Sequence, residues 1–216
     1  ILGFTDFIRE HHLGVEDWEY VPVYHSLCLI RKSGKVDHPE MVRLLEQWYA
    51  SYPKGTPYPS RDWELPVCYD PEFGPDLEST ADRLGMRPEE LVKQHTAQPY
   101  PVYGIGFLPG FVYLGGIPEA IRVPRRPTPR LKVPGGSVGL AYQQTGIYPQ
   151  ESPGGWNILG NCPIPLFDAE RDPPCFIQMG DTVRFSAVSR AEHDLHRIEA
   201  EVGIYDFNKK YGNAED

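Results

Sequence analysis

The sequence predicts a small α+β unit over residues 1–62, followed by a mainly-β domain over residues 63–216. Three observations carry this expectation. Prolines number 23, mostly after residue 52, and are scattered among Val, Ile, Phe and Tyr; proline interrupts helices and central strands, so this spread suits a β region with many corners. From Tyr100 onward, short β-prone runs alternate with Pro-Gly, Gly-Gly and Gly-Asp turns, the rhythm of a closed barrel or a sandwich. Before residue 62, a strand-like stretch precedes one helical period with its own start signal. At 216 residues the chain is long enough to bury a substantial core in one large domain or two modest ones.

Taken in order, Glu19–Ile30 is rich in Val, Tyr, Leu and Ile and reads as one or two strands broken near Pro22. Asp37-x-x-Glu40 has the spacing of a capping box, with Pro39 in the first turn. Met41, Leu44, Leu45 and Trp48 follow at helical spacing, which predicts a helix with one buried face. Ser51–Asp62 carries prolines and a glycine and reads as a linker. Trp63–Asp70 predicts the first strand of the second domain. Gly74–Gln98 predicts two short helices separated by Gly85, with Pro88 opening the second and Glu89 and Glu90 in its first turn. This pair imitates a helix-turn-helix, yet residues 76–95 carry five acids against three bases. Acids where a recognition helix meets DNA argue for a helical corner on a β domain. Strands are expected in Gly136–Pro149, Trp156–Gly160, Pro174–Gly180 and Asp181–Phe185, then a short helix and a strand within Glu192–Phe207.

The net charge of −9 excludes generic binding to nucleic acid or anionic membrane. Its distribution is uneven. Between Ala120 and Gln150 there is no acid, while Arg122, Arg125, Arg126, Arg130 and Lys132 give +5, so the rest of the chain carries −14. Such an island suits a small anion or an acidic partner; alternatively, arginines frame a proline-rich loop. Cys28, Cys68, Cys162 and Cys175 lack C-x-x-C spacing and read as reduced thiols of a cytoplasmic protein. No run approaches membrane-spanning length, and no leader pattern opens the chain; because it begins at Ile1 rather than Met, sequence preceding it is expected.

The segment GFLPGFVYLGG (Gly106–Gly116) invites comparison with phosphate-binding loops. Pro109 stands where a third glycine is needed, and Phe111–Leu114 reads as strand rather than a helix that would present its N-terminus to phosphate. Gly135-Gly136-Ser137-Val138-Gly139 formally matches G-x-S-x-G, with Asp168, Asp181, His193 and His196 following in serine–acid–histidine order. A nucleophile elbow needs a strand before the serine and a helix after it, and a proline and a β-like run stand there instead. Ser137 reads better as a turn serine. His193-x-x-His196 lacks a second cluster and predicts no metal site. His95 closes the second predicted helix, either as a C-terminal cap or as a proton donor in a cleft. Gly106–Gly116, Pro124–Gly139 and Gln144–Gly160 combine tight turns with aromatics and arginine, serine or glutamine, as a pocket or a close protein–protein interface requires.

GPDL (Gly74–Leu77), HTA (His95–Ala97), GFLPGFVYLGG, PRRPTPRLKVPGGSVG (Pro124–Gly139), QTGIYPQESPGGWNILGNCP (Gln144–Pro163) and LFDAERDPPCFIQMGDTVRF (Leu166–Phe185) occur in that order. Together they resemble the family of allophanate hydrolase subunit 1, the 5-oxoprolinase B-subunit and the sporulation-kinase inhibitor KipI. The match runs strongly from Trp63 to Phe185 and loosely from Val21 to Trp48. The resemblance implies a small N-terminal α+β domain, here without its first strand, and a C-terminal cyclophilin-like barrel. It implies a C-subunit or KipA-like partner, an A-subunit homologue, and use of ATP by the complex in opening the lactam of 5-oxoproline. The alternative it implies is a KipI-like inhibitor of a sensor histidine kinase. The chain departs from the family pattern at Val112, at Gly136 and at Asn161-Cys162.

On the enzyme reading, the expected site takes a small anionic substrate. His95 and Arg130 are the expected catalytic groups. Arg125 and Arg126 would join in gripping carboxylate or phosphate, for which the planar guanidinium is suited. Ser137, Gln144, Thr145 and Tyr148 are expected to orient the ligand, and Phe107, Pro109, Phe111, Tyr113, Pro134 and Trp156 to form the walls.

Overall fold

The computed structural model describes residues 1–55 and 58–207, and the chain divides into two compact units, Ile1–Pro59 and a second beginning at Ser60. In the first, helix α1 (Leu2–His11) precedes an antiparallel hairpin of β1 (Trp18–Val23) and β2 (Ser26–Arg31), and helix α2 (His38–Ser51) follows. The chain reverses at Tyr24-His25, not at Pro22, which sits inside β1 opposite Leu27. A two-stranded ribbon has an open side on each strand, so proline's missing N–H is tolerated there. At the start of α2 the Asp37 carboxylate accepts the Glu40 N–H at 3.1 Å, but the Glu40 carboxylate turns to Arg43, so only half of the expected capping box forms. The expected buried face is only half covered, because one hairpin and two helices enclose too little volume. Trp48 stacks on the His12 ring at 4.4 Å, and only Thr5, Ile8 and Trp18 are fully buried among the described residues of this unit. Thr56 and Pro57 of the expected linker lie outside the described residues.

The second unit opens with β3 (Asp62–Val67), then helices α3 (Leu77–Leu84) and α4 (Pro88–Thr96), as the sequence predicts. Gly85 ends α3 in the left-handed conformation, where a side chain would be strained. Next come β4 (Tyr100–Ile105), β5 (Val112–Gly115), a single 3₁₀ turn, β6 (Arg130–Val133), β7 (Ser137–Ala141) and β8 (Gln144–Ile147). β9 (Ser152–Gly154), β10 (Asn157–Asn161), β11 (Thr182–Ala187) and α5 (Arg190–Glu201) complete it. Seven strands pair in the order β10-β7-β8-β5-β4-β11-β3, antiparallel except for the parallel β11–β3 pair. Just past β3, Cys68 exchanges two 2.9 Å backbone hydrogen bonds with Asn161 at the end of β10, so the sheet nearly closes on itself. β6 and β9 form a separate ribbon.

The main core fills the inside of this sheet with Leu65, Val67, Tyr100, Val102, Leu114, Leu140 and Phe185. A second cluster joins Phe111, Val133, Ala141, Tyr148, Trp156 and Ile158. The expected strand at Pro174–Gly180 is absent and its residues form turns. The neighbouring β11 is paired on both sides, by β4 and β3, and offers no edge; Ile177 is instead buried from a loop. The final predicted strand is likewise absent within the described residues, where Tyr205 packs into the core as irregular chain.

Candidate functional site

The glycine-rich segment is the loop joining β4 to β5. Gly106 donates to the Phe111 carbonyl at 3.1 Å, and Phe111 to that of Leu108 at 3.0 Å. Gly110 has φ +81°, and a Cβ there would lie 2.6 Å from Phe167 Cβ, so position and conformation both demand glycine. No helix follows, which leaves no phosphate cradle in this loop.

The expected walls separate. Phe111, Tyr148 and Trp156 are buried edge-to-face, with centroids 5.2 and 5.5 Å from Phe111, and Tyr113 packs at 4.8 Å. They form a core rather than the walls of one cleft, although Tyr148 also borders a small hollow beside Gly135 and Cys162, whereas Phe107 and Pro109 face solvent. Arg125 is exposed and Gln144 is half-buried at the start of β8.

His95 is fully buried, which differs from the expectation of a cleft histidine. The Thr145 hydroxyl donates to the Gly139 carbonyl at 2.9 Å, so its oxygen receives the His95 Nε2–H at 2.9 Å. Nδ1 is then the acceptor for the Tyr69 hydroxyl at 2.8 Å. The ring also stacks on Phe185 at 4.9 Å. Burial pushes its pKa down to about 3, so it stays neutral and both nitrogens are taken. His95 and Thr145 thus tie α4 to the sheet.

The arginine island is answered by a residue that sequence reasoning missed. Asp76, just before α3 and 2% exposed, accepts both terminal nitrogens of Arg130 at 2.6 and 2.8 Å and the Ile158 N–H at 2.8 Å, and also pairs with Arg126. Burial alone would raise its pKa, but the Arg130 and Ile158 hydrogen bonds and both guanidinium charges outweigh it and hold the carboxyl below its ordinary range. Arg126 and Arg130 therefore brace the proline-rich loop against α3 and β10. An acid at a helix start, set against a basic island with no acid of its own, was the available signal.

An open cleft of about 540 Å³ lies beside this brace, lined by Arg130, Lys132, Ser137, Asn161, Arg190, His193 and Arg197 among others. It keeps Arg130, Ser137 and Pro134 from the expected set and omits the others. Of its cations, Arg130 is engaged by Asp76, and Arg190 by Glu72 and by Asp194 at 3.0 Å. Lys132 and Arg197 are freer: their side chains are 78% and 55% exposed, with nearest carboxylates at 3.2 and 3.7 Å. On the floor, Asn161 donates Nδ2–H to the Gly135 carbonyl at 2.9 Å and accepts from His193 Nε2 at 2.9 Å.

The serine–acid–histidine order does not become a triad, although Ser137 and His193 line the same cleft. Asp181 accepts from Arg61 N–H, Trp63 Nε1–H and Gln178 N–H, and Asp168 pairs with Arg171. His196 turns away to Glu199 at 2.8 Å.

A nearly closed sheet packed with helices, with a cleft that gathers four cationic side chains, defines a β-barrel-like module. The chain belongs to the family described as "Carboxyltransferase domain, subdomain C and D", whose model matches residues 4–177. It is 44% identical over 137 residues to the 5-oxoprolinase B-subunit of Bacillus subtilis, covering 63% of this chain and 57% of that protein. The B-subunits of 5-oxoprolinase from Escherichia coli O157:H7 and Haemophilus influenzae are 39% and 46% identical, covering 77% and 69% of this chain and 76% and 70% of those proteins. Against the Bacillus protein, the chain thus spans little more than half the relative's length. Among solved structures it resembles the Pyrococcus horikoshii protein PH0987 at 39% identity and TM-score 0.60, covering 89% of this chain and 88% of that one. The Kluyveromyces lactis urea carboxylase shares the fold at 16% identity and TM-score 0.75, over 94% of this chain and 21% of the enzyme. The family resemblance drawn from the ordered motifs is borne out.

Proposed function

We infer that the chain serves as one component of a 5-oxoprolinase-type complex, and that its cationic cleft receives the carboxylate of the substrate. The supporting observation is the placement of two lightly engaged cations, Lys132 and Arg197, in one cleft of a chain whose net charge is −9. The names of the curated relatives support a multi-component setting. Homologues of the A- and C-subunits are the proposed partners, ATP is used by the assembly, and the barrel is of the cyclophilin-like kind. Arg130 and Ser137 remain in the proposed site, Arg130 as a fixed positive edge and Ser137 as a hydrogen-bonding wall. His95 is left out of it, because neither ring nitrogen is free.

The test is reconstitution with A- and C-subunit homologues and measurement of 5-oxoproline-dependent ATP hydrolysis. Charge-assisted hydrogen bonds are worth ~1.5–3 kcal/mol, so Lys132→Ala with Arg197→Ala should raise KM for 5-oxoproline by at least about tenfold. Arg9→Ala, remote from the cleft in sequence and paired with Asp6, should leave KM unchanged. An unaltered KM in the double variant would remove the cleft from the reaction.

A further inference from the structure

His193 carries a nitrogen that the fold leaves unanswered. Its side chain is 4% exposed, it lines the cleft, and its Nδ1 is buried without a hydrogen-bond partner. Asn161 fixes the ring's tautomer. Because Asn161 Nδ2 donates to the Gly135 carbonyl, its Oδ1 faces His193, and Nε2 must carry the proton given to it. Nδ1 of the neutral ring is therefore a lone-pair acceptor. Asp194 Oδ1, at 3.6 Å, is too far for a hydrogen bond and is itself an acceptor, while its other oxygen is held by Arg190. Phe73 packs on the imidazole at 4.4 Å, is itself half-exposed, and has the Arg190 guanidinium over its ring at 4.7 Å. A buried acceptor without a donor is unfavourable, and native structures rarely keep one without use. The same cleft offers Lys132 and Arg197 to a negative charge.

We propose that His193 Nδ1 is a ligand-binding acceptor, which takes an N–H donor borne next to the carboxylate of the molecule that fills the cleft. This rests on the 5-oxoproline reading and deepens it: the lactam N–H adjoins the carbon bearing the carboxylate. Arg197 and Lys132 hold the carboxylate, His193 receives the N–H, and Asn161 positions the imidazole. Phe73, half-exposed and packed on the imidazole, borders the approach to the ring from the cleft. No bond is made or broken in this step; it is recognition, and it selects lactams over lactones.

The test uses the full chain, ¹⁵N-labelled at histidine, titrated with 5-oxoproline and with its isosteric lactone, in which ring oxygen replaces N–H. The expected result is a shift of the His193 Nδ1 resonance with 5-oxoproline and an affinity for the lactone at least about tenfold weaker, since a site built for a donor rejects the analogue lacking it. In His193→Phe the two ligands should bind alike, while Asn161→Ala should shrink the preference by freeing the tautomer. Binding of 5-oxoproline with Nδ1 unmoved and the lactone equally tight would overturn the role of His193 while leaving the anion cleft standing. No perturbation at Lys132, Arg197 or His193 at any concentration would overturn both. Should His193→Phe fail to fold, the lactam–lactone comparison in the unaltered chain decides the matter.

Discussion

Asp76 gathers two arginines and a backbone N–H at one nearly inaccessible carboxylate. Removing one member of a buried ion pair leaves the others without compensation, at about 3–5 kcal/mol. Asp76→Asn should therefore lower the free energy of unfolding by that order in urea titrations. Its carboxyl is held below the ordinary value, so the unfolded chain binds the proton more readily than the folded one. The stabilisation is present above about pH 4 and fades as pH falls through the lower folded value. Asp76→Asn should flatten that acid limb. His95 acts in a neighbouring window. Its pKa falls from about 6.5 in the unfolded chain to about 3 when folded. Between these values the unfolded state binds more protons, so stability declines as pH drops from about 6.5 toward 3. His95→Gln should weaken the protein at pH 7 yet reduce that slope, which denaturation midpoints at pH 7 and pH 5 would compare.

At the scale of elements, the barrel's closure hangs on a short contact between Cys68 and Asn161, flanked by Gly160. A Cβ at Gly160 would stand 2.5 Å from the Cys68 carbonyl oxygen, and a strand backbone yields little. Gly160→Ala should destabilise by about 1–3 kcal/mol, the range for overpacking, with amide exchange accelerated first at Cys68 and Asn161. Periodicity locates α2, α3, α4 and most barrel strands because each has a dense local pattern. Helix α1 escapes such a reading although Phe4, Phe7, Ile8 and His11 recur at helical spacing, since Ile1 at its start supplies no capping side chain to mark it. The Pro174–Gly180 segment has strand-like composition but no free edge to pair with, and edges are a property of the assembled sheet.

For the whole molecule, burial sorts the thiols. Cys28 is exposed, Cys175 partly covered, and Cys68 and Cys162 buried, with burial pushing the Cys162 thiol up to about 12. Alkylation of the native protein, followed by mass spectrometry, should mark Cys28 first and leave Cys68 and Cys162 unmodified until urea unfolds the chain. The charge asymmetry has a similar global answer. Two of the five cations of the Ala120–Gln150 island are held by one acid that is distant in sequence, so the cations left to meet a ligand in the cleft are chiefly Lys132 and Arg197 of α5.

By itself the sequence determined the kind of protein this is. Ordered motifs identified the family, local periodicity and turn residues placed most elements, and the glycine spacing with a strand behind it excluded a phosphate loop. Only the tertiary structure decided which polar residues meet. His95 and His193 look alike as histidines near helix ends, yet one has both nitrogens answered inside the core and the other keeps a lone pair at a cleft. Arg126 and Arg130 look like anion-binding arginines until Asp76 closes on them. The physical reason is range. Secondary structure follows from neighbours a few residues apart, whereas the hydrogen-bond and ion-pair partners named here are separated by 26 to 54 residues and are chosen by the path of the chain.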